Sequence, residues 1–155
     1  MKQLYHDGGR AAAGYKGDAG DCVVRAIAIV TGKPYREVYK ELAKRMREWA
    51  TTSKSKRAKW WRLKRRFTPR NGTPNPVMKR YMTELGFEWT PTMGIGTGCT
   101  VHLKANELPS GRIVARLTKH TTAIVNGVIY DTHDPSRNET RCVYGYWTWK
   151  ENNDG

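Results

Sequence analysis

Acidic residues are scarce in this chain: 14 Asp and Glu stand against 28 Lys and Arg, leaving a formal charge of +14 over 155 residues. That imbalance favours polyanionic or acidic partners and carries no information about fold. Long apolar runs are missing as well. None approaches the roughly 18 residues a membrane span needs, so no membrane partner is expected. Met1 to Gly14 has no apolar block of the secretory-signal kind, and neither export nor anchoring is expected from it. Cysteine is rare and odd in number. Cys22, Cys99 and Cys142 are widely spaced, which predicts no disulfide framework and fits a reducing cytosol. Cys99-Thr-Val-His102, even with Cys142 or His133, lacks a second C-x-x-C or H-x-x-x-H partner, so no metal is expected. Gly94-Ile-Gly-Thr-Gly98 lacks the Gly-Lys-Ser/Thr ending of a phosphate loop and reads as a flexible loop near the functional cleft. No cofactor is expected. His6 and His102 have no evident partner in the sequence.

What is present is enough for one folded domain spanning residues 1–155. Hydrophobic residues make up 38% of the chain, with six Trp and eight Tyr to bury. Cys22 to Val30 is almost wholly apolar and is closed by Thr31-Gly32, the pattern of a buried helix. A second helix is predicted from Pro34, with apolar residues at Tyr35, Val38, Tyr39, Leu42, Met46 and Trp49. A third runs from about Pro76 through Met78, Tyr81, Met82 and Leu85 to Gly86, which suits a left-handed cap. The second half reads as strands at Phe87 to Thr90, Arg112 to Leu117, His120 to Val125, Val128 to Thr132 and Cys142 to Trp149. Helices followed by an antiparallel sheet predict an α+β fold.

The charge is concentrated. Lys44 to Arg70 holds twelve Lys or Arg and one acid, Glu48, and accounts for +11 of the +14. This points to a basic insertion or arm at about residues 50–72. Its candidates for polyanion binding are Lys54, Lys56, Arg57, Lys59, Arg62, Lys64, Arg65 and Arg66, which would neutralise phosphates, with Trp60 and Trp61 stacking on bases or packing on the domain. An acidic protein would satisfy the same residues, and a solvated helix face is the plainest alternative.

Asn126-Gly127 sits between Ala123-Ile-Val and Val128-Ile-Tyr and supplies the positive φ angles of a two-residue hairpin turn. Counting outward pairs Val125 with Val128, Ile124 with Ile129, Ala123 with Tyr130 and Thr122 with Asp131. Strand alternation then puts His120, Thr122 and Asp131 on one face, with His120 diagonal to Asp131 and within hydrogen-bonding reach. A histidine oriented by a carboxylate is a general-base arrangement, though such a pair also serves as a structural hydrogen bond. Gly20-Asp21-Cys22 places a thiol at the start of the first helix, where amide dipoles favour a thiolate and offer an oxyanion site. An unpaired cysteine is also commonly a small core residue.

Cys at the start of a buried helix, then His on a strand, then Asp on the next strand resembles the order of papain-like cysteine peptidases. Asp21-Cys22 is similar to the Asp-Cys of the bacteriocin-processing C39 peptidases, and Tyr130-Asp-Thr-His133 resembles the papain Lys-Asn-Ser-Trp segment. Gly20 to Tyr39 and about Phe87 to Trp147 also resemble small bacteriophage-encoded proteins of poorly defined role, which would place the chain in host cytoplasm. The resemblance implies a cysteine hydrolase acting on a peptide or protein through an acyl-enzyme, with Cys22 as nucleophile, His120 as base and then acid, and Asp131 holding the imidazole. Asp134-Pro135 is a rival third member. The family's oxyanion Gln corresponds to Lys16, which could donate in its place. A non-catalytic protein of the same fold, working through the basic arm on nucleic acid or a protein complex, is the alternative.

Overall fold

A computed structural model of the chain describes residues 1–17, 19–64 and 67–149. It is α+β, with four helices and a six-stranded mixed sheet. The helices are α1 (Cys22–Thr31), α2 (Tyr35–Thr52), α3 (Lys56–Lys64) and α4 (Asn75–Glu84). The strands are β1 (Gln3–Tyr5), β2 (Phe87–Pro91), β3 (Arg112–Leu117), β4 (His120–Val125), β5 (Val128–Asp131) and β6 (Gly145–Trp149), in the order β1-β5-β4-β3-β6-β2.

Each helix begins and ends where its local chemistry directs. α1 stops at Gly32, whose φ of 74° is left-handed and whose amide donates to the Ala28 carbonyl. Pro34 and Pro74 precede α2 and α4 in extended conformation, leaving the next residues free to enter helical geometry. The apolar stripe of α2 buries Tyr35, Val38, Leu42 and Met46, while its charged face stays in solvent.

Two clusters sandwich the sheet. On one face, α1, α2 and α4 pack Val24, Ile27, Leu42, Met78 and Met82 against Val114, Ala123 and Trp147. On the other, Ile113, Ala115, Leu117, Ile124 and Ile129 meet Leu103 and Val143. Alternation along β3 and β4 divides the two sets, so a one-residue slip in register would exchange both faces.

The β4–β5 hairpin turns on Asn126 (φ 49°) and Gly127 (φ 78°), with Val125 opposite Val128, Ile124 opposite Ile129 and Ala123 opposite Tyr130. Two features depart from the sequence-based expectation. The sheet is mixed, because β1 pairs in parallel with β5. Within the basic segment α3 packs beside α2, burying Ala58, and Trp61 is half-buried against the main core. The second departure is in the cysteines. Cys99 and Cys142, 43 residues apart in sequence, form a disulfide next to the His102–Cys142 bridge, leaving Cys22 as the free cysteine. An odd cysteine count still permits one pair, so it does not reveal the compartment. No described helix is long and apolar enough to cross a membrane.

Candidate active site

Three elements meet at one end of the sheet. α1 brings Cys22 at its first residue, β4 brings His120 at its first residue, and β5 brings Asp131 at its last. His120 Nε2 lies 2.7 Å from Asp131 Oδ2, which also accepts the Thr122 hydroxyl at 2.8 Å. The other carboxylate oxygen accepts the Thr132 amide at 2.7 Å. Asp131 is 5% exposed, and these donors compensate for taking a carboxylate out of water. Because Nε2 is occupied by Asp131, Nδ1 is the ring nitrogen left for the Cys22 thiol, which lines a common cleft with His120.

The electrostatics follow from this geometry. Burial opposes ionisation of Cys22, yet the hydrogen bond and charge of His120, the Thr121 backbone and the Arg25 cation together bring its pKa below the ordinary 9.0. Burial likewise opposes a charged His120, but Asp131 and Cys22 raise its pKa to about 9. Asp131 is desolvated as well, and the His120, Thr122 and Thr132 contacts bring it below 3.8. The arrangement favours a thiolate–imidazolium pair with a fixed carboxylate behind it.

Asp21 precedes α1 without capping it through its side chain. Its carboxylate, 2% exposed, turns instead to the Tyr35 hydroxyl, to Arg10 Nε at 3.1 Å and to Arg25 Nε at 3.4 Å. The amides at the start of α1 are therefore left without a side-chain cap beside the thiol. Arg25 links the first turn of α1 to the end of β5, donating to Thr132 Oγ1 at 2.8 Å and lying 4.0 Å from Asp131 Oδ1. Gly8 packs directly on α1 here: a Cβ there would lie 3.0 Å from the Arg25 backbone.

A cleft of about 550 Å³ opens over Cys22 and His120, lined also by Gly20, Asn71, Arg116 and Lys119. A groove of similar size between α2 and α4 contains Glu41, Glu48 and Glu84 and lies apart from the thiol. Lys16 is exposed and does not line the cleft; its carbonyl accepts Arg10 and Arg70 instead. Asp134 is also exposed, and it bonds the Ser136 amide rather than a histidine. The Gly94–Gly98 loop folds on Thr97 and lines a different depression.

His120, Asp131 and His133 have donor atoms close enough to hold a metal ion, with His133 Nδ1 3.9 Å from Asp131. Cys99, His102 and Cys142 form a second such group, but the disulfide occupies both sulfurs. His102 meets Glu107 at 3.3 Å, and His6 accepts the Gly8 amide at 2.9 Å, which gives both histidines partners.

In α3, Lys56, Arg57, Lys59, Trp60, Arg62 and Lys64 are exposed, as is Lys54 just before it. Trp60 carries Lys64 Nζ 5.9 Å from its ring centroid. Arg65 and Arg66 lie outside the described residues. Sequence reasoning missed Arg25, Asn71 and Arg116 at the cleft. Arg25 did leave a signal, as the lone charge in an otherwise apolar helix. Compared with known protein families, curated proteins and solved structures, the chain matches none of them.

Proposed function

We propose that the chain is a papain-like cysteine hydrolase, acting as a peptidase. The observation that carries this reading is the convergence of Cys22, His120 and Asp131 from three separate elements, with Asp131 bonded to one ring nitrogen of His120. The thiolate sulfur attacks the scissile carbonyl carbon, and the carbonyl oxygen becomes an oxyanion. His120 then passes its Nδ1 proton to the departing amine, leaving an acyl thioester on Cys22. Next, His120 takes a proton from water, whose oxygen displaces the sulfur and releases the acid. Uncapped amides at the start of α1 are oxyanion donors beside the thiol, in the role expected of Lys16 from the sequence. Incubating a bacterial lysate with the protein should generate new chain termini that are absent with Cys22→Ala. Identical termini in both samples would contradict the reading.

The exposed α3 cations, with Trp60 49% and Leu63 81% exposed, favour a second reading: a non-catalytic scaffold that binds nucleic acid or an acidic protein through this helix. For a phosphate backbone, replacing Lys56, Arg57, Arg62 and Lys64 with Gln should reduce the salt dependence of binding by roughly 0.7–0.9 in log–log slope for each phosphate no longer neutralised. Trp60→Ala should weaken binding and preserve the melting temperature, whereas the half-buried Trp61→Ala should lower it. Retention of the biological effect in Cys22→Ala, with its loss in the α3 variant, would select this reading over catalysis.

A further inference from the structure

The cleft beside Cys22 is electrostatically one-sided. Arg25, Arg116 and Lys119 line it, and among the described residues no Asp or Glu does. Arg25 is committed to Asp21, Asp131 and Thr132, but the other two cations are not so engaged. Arg116 projects from β3 on the helix-facing side of the sheet, opposite Thr121, and is half-buried. Its guanidinium donates to the Met78 thioether, 3.5 Å from Nη1, a weak acceptor. No described carboxylate pairs with it. Burial opposes its charge most, the Cys22 thiolate supports it, and Arg57 of α3 opposes it. Lys119 is exposed at the β3–β4 turn, where its φ of 56° presents it at the rim of the same cleft.

A half-buried guanidinium that donates to a thioether and has no described carboxylate partner leaves its fork open to an oxyanion. We propose that the cleft binds an acyl substrate bearing a carboxylate close to the scissile carbonyl, held by Arg116 and supported by Lys119. This deepens the thiol-hydrolase reading and rests on it. The carboxylate belongs either to an acidic side chain or to a chain terminus, and the guanidinium fork would grip either one.

Iodoacetate and iodoacetamide test this without a known substrate. In both, the Cys22 sulfur displaces iodide from the same methylene carbon, but only iodoacetate carries a carboxylate. Dividing the two rates cancels the thiolate fraction and leaves the local field on the anion, to which His120 and Arg25 also contribute, so the change in ratio on replacing Arg116 isolates that residue's share. The ratio at Cys22 should exceed that of N-acetylcysteine amide, an uncharged reference thiol, and fall about tenfold in Arg116→Gln. It should fall less in Lys119→Gln, an exposed position that does not threaten folding, and recover in Arg116→Lys. Acetylglycine, with a free terminus, and N-acetylaspartyl methylamide, with a side-chain carboxylate, compete with iodoacetate; the stronger competitor identifies the source. A ratio unchanged in both Gln variants would overturn the proposal, whatever its absolute value. Slow reaction with both reagents would instead contradict the activated thiol, and the ratio would still be read.

Discussion

Replacing His120 with alanine is expected to reduce turnover by about 10²–10⁴-fold, the usual span for losing a positioned acid–base group. The loss has two sources in this cleft. The thiol gives up the hydrogen bond and cation that bring its pKa below 9.0, and the leaving amine loses its proton donor. The pH profile should change with it. In the native chain, the acidic limb follows ionisation of Cys22 below its ordinary range, and the basic limb follows loss of the His120 proton near pH 9. Without the imidazole, the acidic limb should move up toward the ordinary thiol value and the basic limb should disappear. Initial rates between pH 4 and 10 on a cleaved peptide would show both changes.

The second large effect is on stability. Asp131→Ala removes the acceptor for His120, Thr122 and the Thr132 amide in a site where the carboxylate is 5% exposed. Breaking a buried charged pair on one side typically costs about 3–5 kcal/mol, which for a chain of this size lowers the melting temperature by on the order of 10 °C. Asp131→Asn should cost less, because one oxygen still accepts. It cannot serve both sides, however, and its amide must face either the Thr132 N–H or the His120–Thr122 pair. The pH dependence has a definite sign. His120 has its folded pKa raised from 6.5 to about 9, so its contribution is fully present below about pH 6.5 and is lost as pH rises through about 9. Asp131 has its folded pKa lowered from 3.8, so its contribution is present above 3.8 and is lost as pH falls through the folded value. Urea midpoints followed in a Cys22→Ala background, which removes thiol titration and with it the thiol's share of the raised His120 pKa, should show the acidic slope and a basic slope below pH 9 in the native pair, and neither in Asp131→Ala.

The parts of this architecture that are readable from sequence are those with local causes. Asn126-Gly127 sets the β4–β5 register, and that register alone places His120, Thr122 and Asp131 on a common face. The apolar run after Cys22 with Gly32 behind it, and the periodic positions of α2, are equally local. What escapes depends on distant partners or lacks a pattern. β1 is three residues long and partly exposed, and its parallel pairing with β5 joins segments more than a hundred residues apart. α3 has only Ala58 buried, and its apolar residues divide between an inward pair, Ala58 and Trp61, and an outward pair, Trp60 and Leu63, so no single apolar stripe announces it. The Cys99–Cys142 bond spans 43 residues and leaves no spacing signature. At the cleft, counting back from Cys22 leads to Lys16, whereas the residue that lies against Gly20 is Asn71, from the segment after α3. Arg116 reaches the thiol only through β3–β4 pairing and the packing of α1 on the sheet.

The central claim is that Cys22 is held as a thiolate by His120, and the most direct measurement is its alkylation rate by iodoacetamide as a function of pH. Cys22 should already react rapidly near pH 6, well below ordinary thiol ionisation, and this acidic reactivity should vanish in His120→Ala. A rate that rises only near pH 9, and identically in the native protein and His120→Ala, would contradict the account.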